Sequence, residues 1–483
     1  MADKANFEDV EEIKVDPKDP EKKGGLGPVY NATSCVSCHQ NPVTGSSSQI
    51  SEIRAGGKDK DGNFAEPFGG SLIHQRAIDG EIQEHVLADE VVRTLRMSTN
   101  TLGDGFVEVI PDSELIANCE SQKGKLRGLP IARPVAVRVK AVNEAGQPKD
   151  FDLAMRVGRF GWKDQHASLL NFSADAYINE MGITSPLQPT ENSSNGQNVS
   201  SFDRVDDPED KATSKDPAKI PVKHEDFEHP FGEDVEAFAE FMRSTGVPPA
   251  RIENADVLKR GEEVFDAVNC VACHRKQYTT PPAGSLIVPL FPKKAGAIGT
   301  DFAENKVPEA LGGKVIRPFS DFLMHNIGTG DGIVQAQHAQ LPAIGVESFL
   351  IDRVFREAPD FFSPDVVDKL KELTGIEANV TVPAGDACHP KVVLPQNSRL
   401  MAESFAGRRS LRDVKIDQTT ANMIRTAPLW GLRLRPQMLH DGRALTIRDA
   451  ILAHHEDAQE VTDAFNKLSG DDVQALLAFL NSL

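Results

Sequence analysis

The chain has 483 residues, 39% of them apolar and 26% charged, with a formal net charge of −19. That length exceeds what one hydrophobic core usually serves, so two or more domains are expected. The acidic balance argues against nucleic acid and anionic lipid as partners and suits a basic donor protein or a small neutral substrate. No run approaches the ~18 apolar residues of a membrane span, and Met1-Ala2-Asp3-Lys4 leads into polar sequence with no signal-type apolar core.

Residues 1–30, rich in Asp, Glu, Lys and Pro, read as an N-terminal arm ending in Gly24-Gly25-Leu26-Gly27-Pro28. Cys35-Val36-Ser37-Cys38-His39 follows at once. A Cys-x-x-Cys-His run suits one chemistry above all: two thiols add to the two vinyl groups of a porphyrin while the adjacent imidazole coordinates its iron. Residues 41–75, rich in Gly, Ser and Lys, have little periodicity and read as loop around that cofactor. Alternation in 104–160, clearest at Val135-Ala136-Val137-Arg138-Val139-Lys140, predicts a small β insertion turning at Asn143-Glu144-Ala145-Gly146.

Polar composition over 187–225 marks a linker or long surface loop. Helical periodicity resumes over 234–242 and 256–268, the second run leading into Cys270-Val271-Ala272-Cys273-His274. A last helix follows the N-cap candidate Ser469-Gly470-Asp471-Asp472. The expected fold is therefore mainly α: two cytochrome c-like haem domains with long loops and a small β insertion. Its divisions are an arm (1–30), a first haem domain (31–186), a linker (187–232) and a second haem domain (233–483).

Two such motifs imply two covalently bound haem c groups, on Cys35, Cys38 and His39 and on Cys270, Cys273 and His274. Zinc is a poor rival, because neither motif is followed by a second Cys pair. A pair of CxxC disulfides would leave the repeated histidine unexplained. Haem is attached to thiols outside the bacterial cytoplasm, so a periplasmic protein whose export signal is absent from this numbering is expected. Of six cysteines, Cys119 and Cys388 remain, and an oxidising compartment favours their pairing over two free thiols.

Val257-Leu258-Lys259-Arg260-Gly261-Glu262-Glu263-Val264-Phe265 resembles the helix before the second haem of bacterial di-haem cytochrome c peroxidases. Arg425-Thr426-Ala427-Pro428-Leu429-Trp430-Gly431 and Met438-Leu439-His440-Asp441-Gly442-Arg443 resemble segments near that haem. Within this superfamily the chain is most similar to the di-haem oxidoreductase family, whose pattern is also visible at 102–111, 158–163, 181–186 and 320–325. The resemblance spans about residues 25–185 and 235–483.

Carried onto this chain, the resemblance implies a distal ligand for the second haem fourteen residues after His440, at His454, where those peroxidases often have Met. His274 and His454 would then form a bis-His iron of lower potential. His455 is one residue out of register. His325 and His440 are expected to bond haem propionates or backbone. At the first haem His74 is either a distal ligand or a hydrogen-bonding neighbour of an open iron. Glu180, in Glu180-Met181-Gly182, matches the acid/base glutamate, and Trp162 the inter-haem tryptophan; Glu108 is an alternative acid/base. A calcium ion is expected by analogy alone.

The implied function is reduction of hydrogen peroxide with electrons from a small donor protein, by a monomer or homodimer. Oxidation of an organic or protein substrate through the same haem, or plain electron transfer, are the alternatives.

Overall fold

The computed structural model describes residues 2–13, 25–67, 69–142, 148–203, 205, 208–211, 213–214, 227–287, 303–334, 388, 391–392 and 418–483. Side chains of 139–153, 213–214, 227 and 391–392 lie outside the description, as does the expected turn at 143–146.

Two apolar cores organise the described chain. The first gathers Phe7 from the helix Ala2–Glu8, Leu169 and Ala174 from the helix Leu169–Ala176, and Val235, Phe238 and Phe241 from the helix Glu233–Ser244. That last helix thus packs against Tyr177 of the first unit, ring to ring at 5.0 Å, although it follows the polar tract. Residues 187–203 also bury Leu187 and Val199.

The second core is a helix pair. Ala255–Ala267 packs on Gly470–Leu480, with Phe265 edge-on to Phe479 at 5.7 Å. Their close approach requires Gly261, since a Cβ there would lie 2.1 Å from the Ala475 carbonyl oxygen. Ser469 caps the final helix by accepting from the Asp472 N–H, as the sequence predicts.

The expected mainly α fold is not what forms; the architecture is mixed α and β. The strand Ser51–Lys58 pairs antiparallel with Val92–Met97 and, through Gly57-Lys58 and Ile53-Arg54, with Phe64–Ala65 and Leu72–Ile73. The long hairpin Ile131–Val142/Pro148–Val157 forms a second sheet, joined in parallel by Lys391–Val392. The first sheet escaped the sequence reading because Arg54 and Gly56-Gly57 break the alternation of Ser51–Lys58, and residues 54–56 are buried nonetheless.

Several contacts tie the two cores together. The helix Asp112–Ser121 bonds the second unit through Asn118 Nδ2, which donates to Tyr278 Oη (2.7 Å) and the Asp321 carbonyl (3.0 Å). Just beyond its end, Gln122 Nε2 donates to the Ala272 carbonyl (2.7 Å) and to Asp321 (2.6 Å). Cys119, on the same helix, is disulfide-bonded to Cys388. Met324–His325 pairs with Ile424–Arg425, and the backbone N–H of Arg425 donates to the Trp162 carbonyl (2.8 Å).

Candidate functional site

Both Cys-x-x-Cys-His runs fold alike. A tight 3-10 turn, Cys35–Ser37 or Cys270–Ala272, is closed by the histidine N–H donating to the first cysteine's carbonyl, at 3.1 Å for His39 and 3.0 Å for His274. All four thiols are unpaired, whereas Cys119 and Cys388 are bridged as expected, which sets aside paired CxxC disulfides. Burial pushes the Cys35 and Cys270 thiols up to about 12, so they stay protonated.

Beside the second motif lies an apolar cavity of about 1220 Å³ including its open mouth, walled by residues such as Phe265, Leu432, Ile447 and Ile451. His274 and His454 line it together. Nδ1 of His274 bonds the Phe319 carbonyl (2.8 Å), and Nδ1 of His454 bonds the Ala450 carbonyl (2.7 Å). Each imidazole is thereby fixed as the tautomer whose Nε2 is the acceptor, the usual preparation of a metal-binding histidine. Burial, and then the neighbouring His454, push His274 down to about 4, so it is neutral. His455 instead sits at the surface with Nδ1 near Gln459.

His440 lines the same cavity, is 1% exposed, and has no hydrogen-bond partner on either ring nitrogen. A buried imidazole left unpaired is costly, and this one signals a missing polar group in an otherwise apolar cavity. Cavity, thiols and oriented imidazoles fit a haem. Among the described residues, the one group of three His, Cys or carboxylate side chains close enough to share an ion is Cys273, Asp321 and His325. Cys273 belongs to the second motif, and His325 Nδ1 lies 3.6 Å from its sulfur.

The first motif is surrounded differently. His39 Nδ1 bonds the Ser46 carbonyl (3.1 Å), and the ring of Phe7 meets the imidazole edge-on at 6.1 Å. Burial lowers His39, partly offset by the Ser46 and Thr99 carbonyls. Glu180 lies in a wide π-type turn, Tyr177–Met181, ended by Gly182 at φ +73°. Its carbonyl accepts from the N–H groups of Asn31 (2.7 Å) and Ala32 (2.8 Å), a few residues before Cys35. Burial first, then the Glu52 carboxylate, push the Glu180 carboxyl up to about 8. Glu52 is held low by Arg54, whose Nε donates to it at 2.7 Å. The sequence offered no reason to single out Glu52, Arg54 or Asn31; two of the three come from the unforeseen sheet.

His74 is 2% exposed and fully engaged: Nδ1 bonds Glu84 (2.7 Å), and Nε2 accepts from Asn192 (3.1 Å). Glu108 is clamped by Arg243 (2.7 and 3.1 Å) and the Leu169 N–H (2.7 Å), beside a cavity whose lining includes neither haem motif. Against its burial, Arg243 holds the Glu108 carboxyl below the usual range.

Trp162 borders the second cavity. Its indole lines the second cavity and a smaller pocket with Ser47, Ser98 and Thr99, the segments that carry the backbone partners of His39. Nε1 donates to the Met97 carbonyl (2.7 Å), the Met97 N–H donates to the His440 carbonyl (2.7 Å), and the Trp162 and His440 rings meet edge-on at 6.3 Å. Next to it, the buried Lys163 ammonium donates to the carbonyls of Ile333, Thr420 and Ala421 and pairs with Asp331 (3.0 Å).

Two oriented histidine motifs on a joined pair of cores define a di-haem protein. The chain belongs to the family described as "Di-haem oxidoreductase, putative peroxidase", which it matches over residues 73–339 and 399–483, so that the first motif precedes the matched span. No curated protein matches it. Among solved structures, a chain of hydrazine synthase from Kuenenia stuttgartiensis, pressurised with xenon, aligns at 18% identity with a TM-score of 0.23, covering 56% of this chain and 60% of that one. The alignment spans less than two thirds of that chain and is too loose to define a shared fold. Among the described residues no helix is long and apolar enough to cross a membrane.

Proposed function

We propose that this di-haem oxidoreductase is a periplasmic peroxidase. Haem c on Cys35 and Cys38, with His39 as iron ligand, would reduce hydrogen peroxide. Haem c on Cys270 and Cys273, with His274 and His454 as ligands, would receive electrons from a small donor protein. The observation that carries this reading is the Glu180 carboxyl, half-buried beside the first motif, which desolvation and the Glu52 carboxylate push up to about 8.

Haem supplies one-electron redox chemistry and, where an axial position is open, the activation of peroxide. The chain's own task is the proton. Glu180 as carboxylate accepts one from hydrogen peroxide and, as the acid, delivers it to the departing oxygen, which leaves as water. A group titrating close to neutrality exchanges its proton in both directions at little cost. Glu52, paired to Arg54, keeps the two adjacent carboxyls from both ionising easily. Glu108 is committed to Arg243 and the Leu169 N–H, which favours Glu180 for this role. His74 is committed to Glu84 and Asn192, which favours an open first iron.

Electrons would pass by Trp162, whose indole lines the second cavity and bonds Met97, two residues before Thr99 beside His39. The test is peroxide-dependent oxidation of a reduced small cytochrome c by the parent holoprotein and by Glu180→Gln, with electron paramagnetic resonance of the ferric forms. A high-spin signal and a strongly impaired variant are expected. Equal rates would remove Glu180 from the mechanism, and low-spin signals alone would close the first iron.

A further inference from the structure

Lys163 follows Trp162 directly and is fully buried, at 0% exposure. Four oxygens from distant parts of the chain surround its Nζ: the carbonyls of Ile333 (3.0 Å), Thr420 (2.8 Å) and Ala421 (2.8 Å), and one carboxylate oxygen of Asp331 (3.0 Å). The other oxygen of Asp331 accepts from Nε (2.9 Å) and Nη2 (2.8 Å) of Arg96. Arg96 precedes Met97, whose carbonyl accepts from the Trp162 indole (2.7 Å). A closed circuit thus runs from the indole through Met97, Arg96, Asp331 and Lys163 back to the Trp162 backbone. The two segments that meet at the ammonium are tightly packed, since a Cβ on Gly330 would lie 2.3 Å from the Asn422 carbonyl oxygen.

Burying an ammonium is far more costly than burying an apolar side chain, so Lys163 does more than fill space. Backbone carbonyls and a carboxylate are the oxygen donors of a hard cation. The spacing selects the cation: these oxygens stand 2.8–3.0 Å from the nitrogen, the length of N–H···O bonds, whereas calcium draws its oxygens in to about 2.3–2.6 Å. An ammonium has three protons for the four oxygens, so no donor is left over. Burial lowers it to about 8, which keeps it charged at neutral pH. We propose that Lys163 is a built-in cation, serving here where a metal ion could, that clamps residues 331–333 and 420–421 onto Trp162 and fixes the direction of its indole. Lys163 is a positioning residue: it acts on the electron path through Trp162, not on either iron. That consequence rests on the reading that electrons pass by Trp162.

The test uses the holoprotein with Lys163→Ala and Lys163→Met, each produced with n-propylammonium, with n-propanol or with neither throughout growth and purification. Propylammonium replaces the atoms that Lys163→Ala removes, and propanol is its neutral counterpart. Two quantities are read: the indole N–H band in the ultraviolet resonance Raman spectrum, assigned by its loss in Trp162→Phe, and peroxide turnover. Lys163→Ala should shift the band and slow turnover, propylammonium should restore the larger part of both, and propanol neither. Lys163→Met should show the same shift and no rescue, because its side chain fills the space the amine would enter. If Lys163→Ala folds only with propylammonium, that dependence is the same rescue. An unshifted band in both variants overturns the inference, as does rescue by propanol equal to that by the amine, or no rescue of Lys163→Ala by the amine. Unchanged turnover in Trp162→Phe would instead remove Trp162 from the electron path; the band does not depend on turnover, so the two failures are distinguishable.

Discussion

The two haem motifs share a turn and a tautomer-fixing carbonyl bond but are set in opposite surroundings. The second faces an apolar cavity lined by both His274 and His454, with a helix pair at its back. The first faces carboxylates: Glu180 and Glu52 beside Arg54, close enough to shift one another's ionisation. Two Cys-x-x-Cys-His runs of the same pattern thus sit in different surroundings, and a protein tunes a haem through axial ligands, hydrogen bonds and local dielectric. On the proposed function, one site would hold an electron and the other would move a proton.

The broadest way to break that contrast is to delete one site at a time. Replacing Cys35 and Cys38 by Ala should leave one haem per chain and abolish peroxide turnover while the bis-His signal persists. Replacing Cys270 and Cys273 should remove that signal instead; haem stoichiometry and paramagnetic resonance read both. Next, Glu180→Gln should lower peroxide turnover by on the order of 10²–10⁴, the usual range for a positioned acid/base, with both haems spectrally intact.

Glu180 also makes a thermal prediction. A carboxyl raised to about 8 by burial holds its proton longer in the folded state than in the unfolded one. Its contribution to stability is therefore full below about 4.3, the unfolded value, and is lost as pH rises through 8. The melting temperature should fall across that window, and less steeply in Glu180→Gln.

Amphipathic periodicity located the helices Glu233–Ser244, Ala255–Ala267 and Gly470–Leu480, the last with its Ser469 cap, because helix faces and caps are local signals. It failed around the first motif, where Ser51–Lys58 becomes a sheet strand although Arg54 and two glycines interrupt its pattern. Glu52 and Arg54 could not be anticipated as neighbours of Glu180, since a contact between a strand and a helical turn more than a hundred residues on leaves no trace in spacing. The Cys119–Cys388 bridge was legible by counting alone, its position beside the second motif was not.

A smaller contrast follows from that bridge. Cys119→Ser should destabilise the chain by about 2–5 kcal/mol, the usual cost of losing a native disulfide, read as a lower denaturation midpoint with both haems retained. The finest adjustment is His454→Met, which should raise the second haem's potential, since thioether ligation favours ferrous iron, and leave the first haem's potential unmoved. A change confined to the first haem would assign His454 to the wrong centre.

Asn118 and Gln122 set a mechanical limit on all of this. They belong to the first unit by sequence, yet they grip Ala272, Tyr278 and Asp321 around the second motif. At about 0.5–1.5 kcal/mol for each bond, swinging the halves apart would forfeit several kcal/mol before the Cys119 bridge is considered. The spacing between the centres is accordingly a constant of the fold. Any hinge motion between the halves would first have to break these bonds.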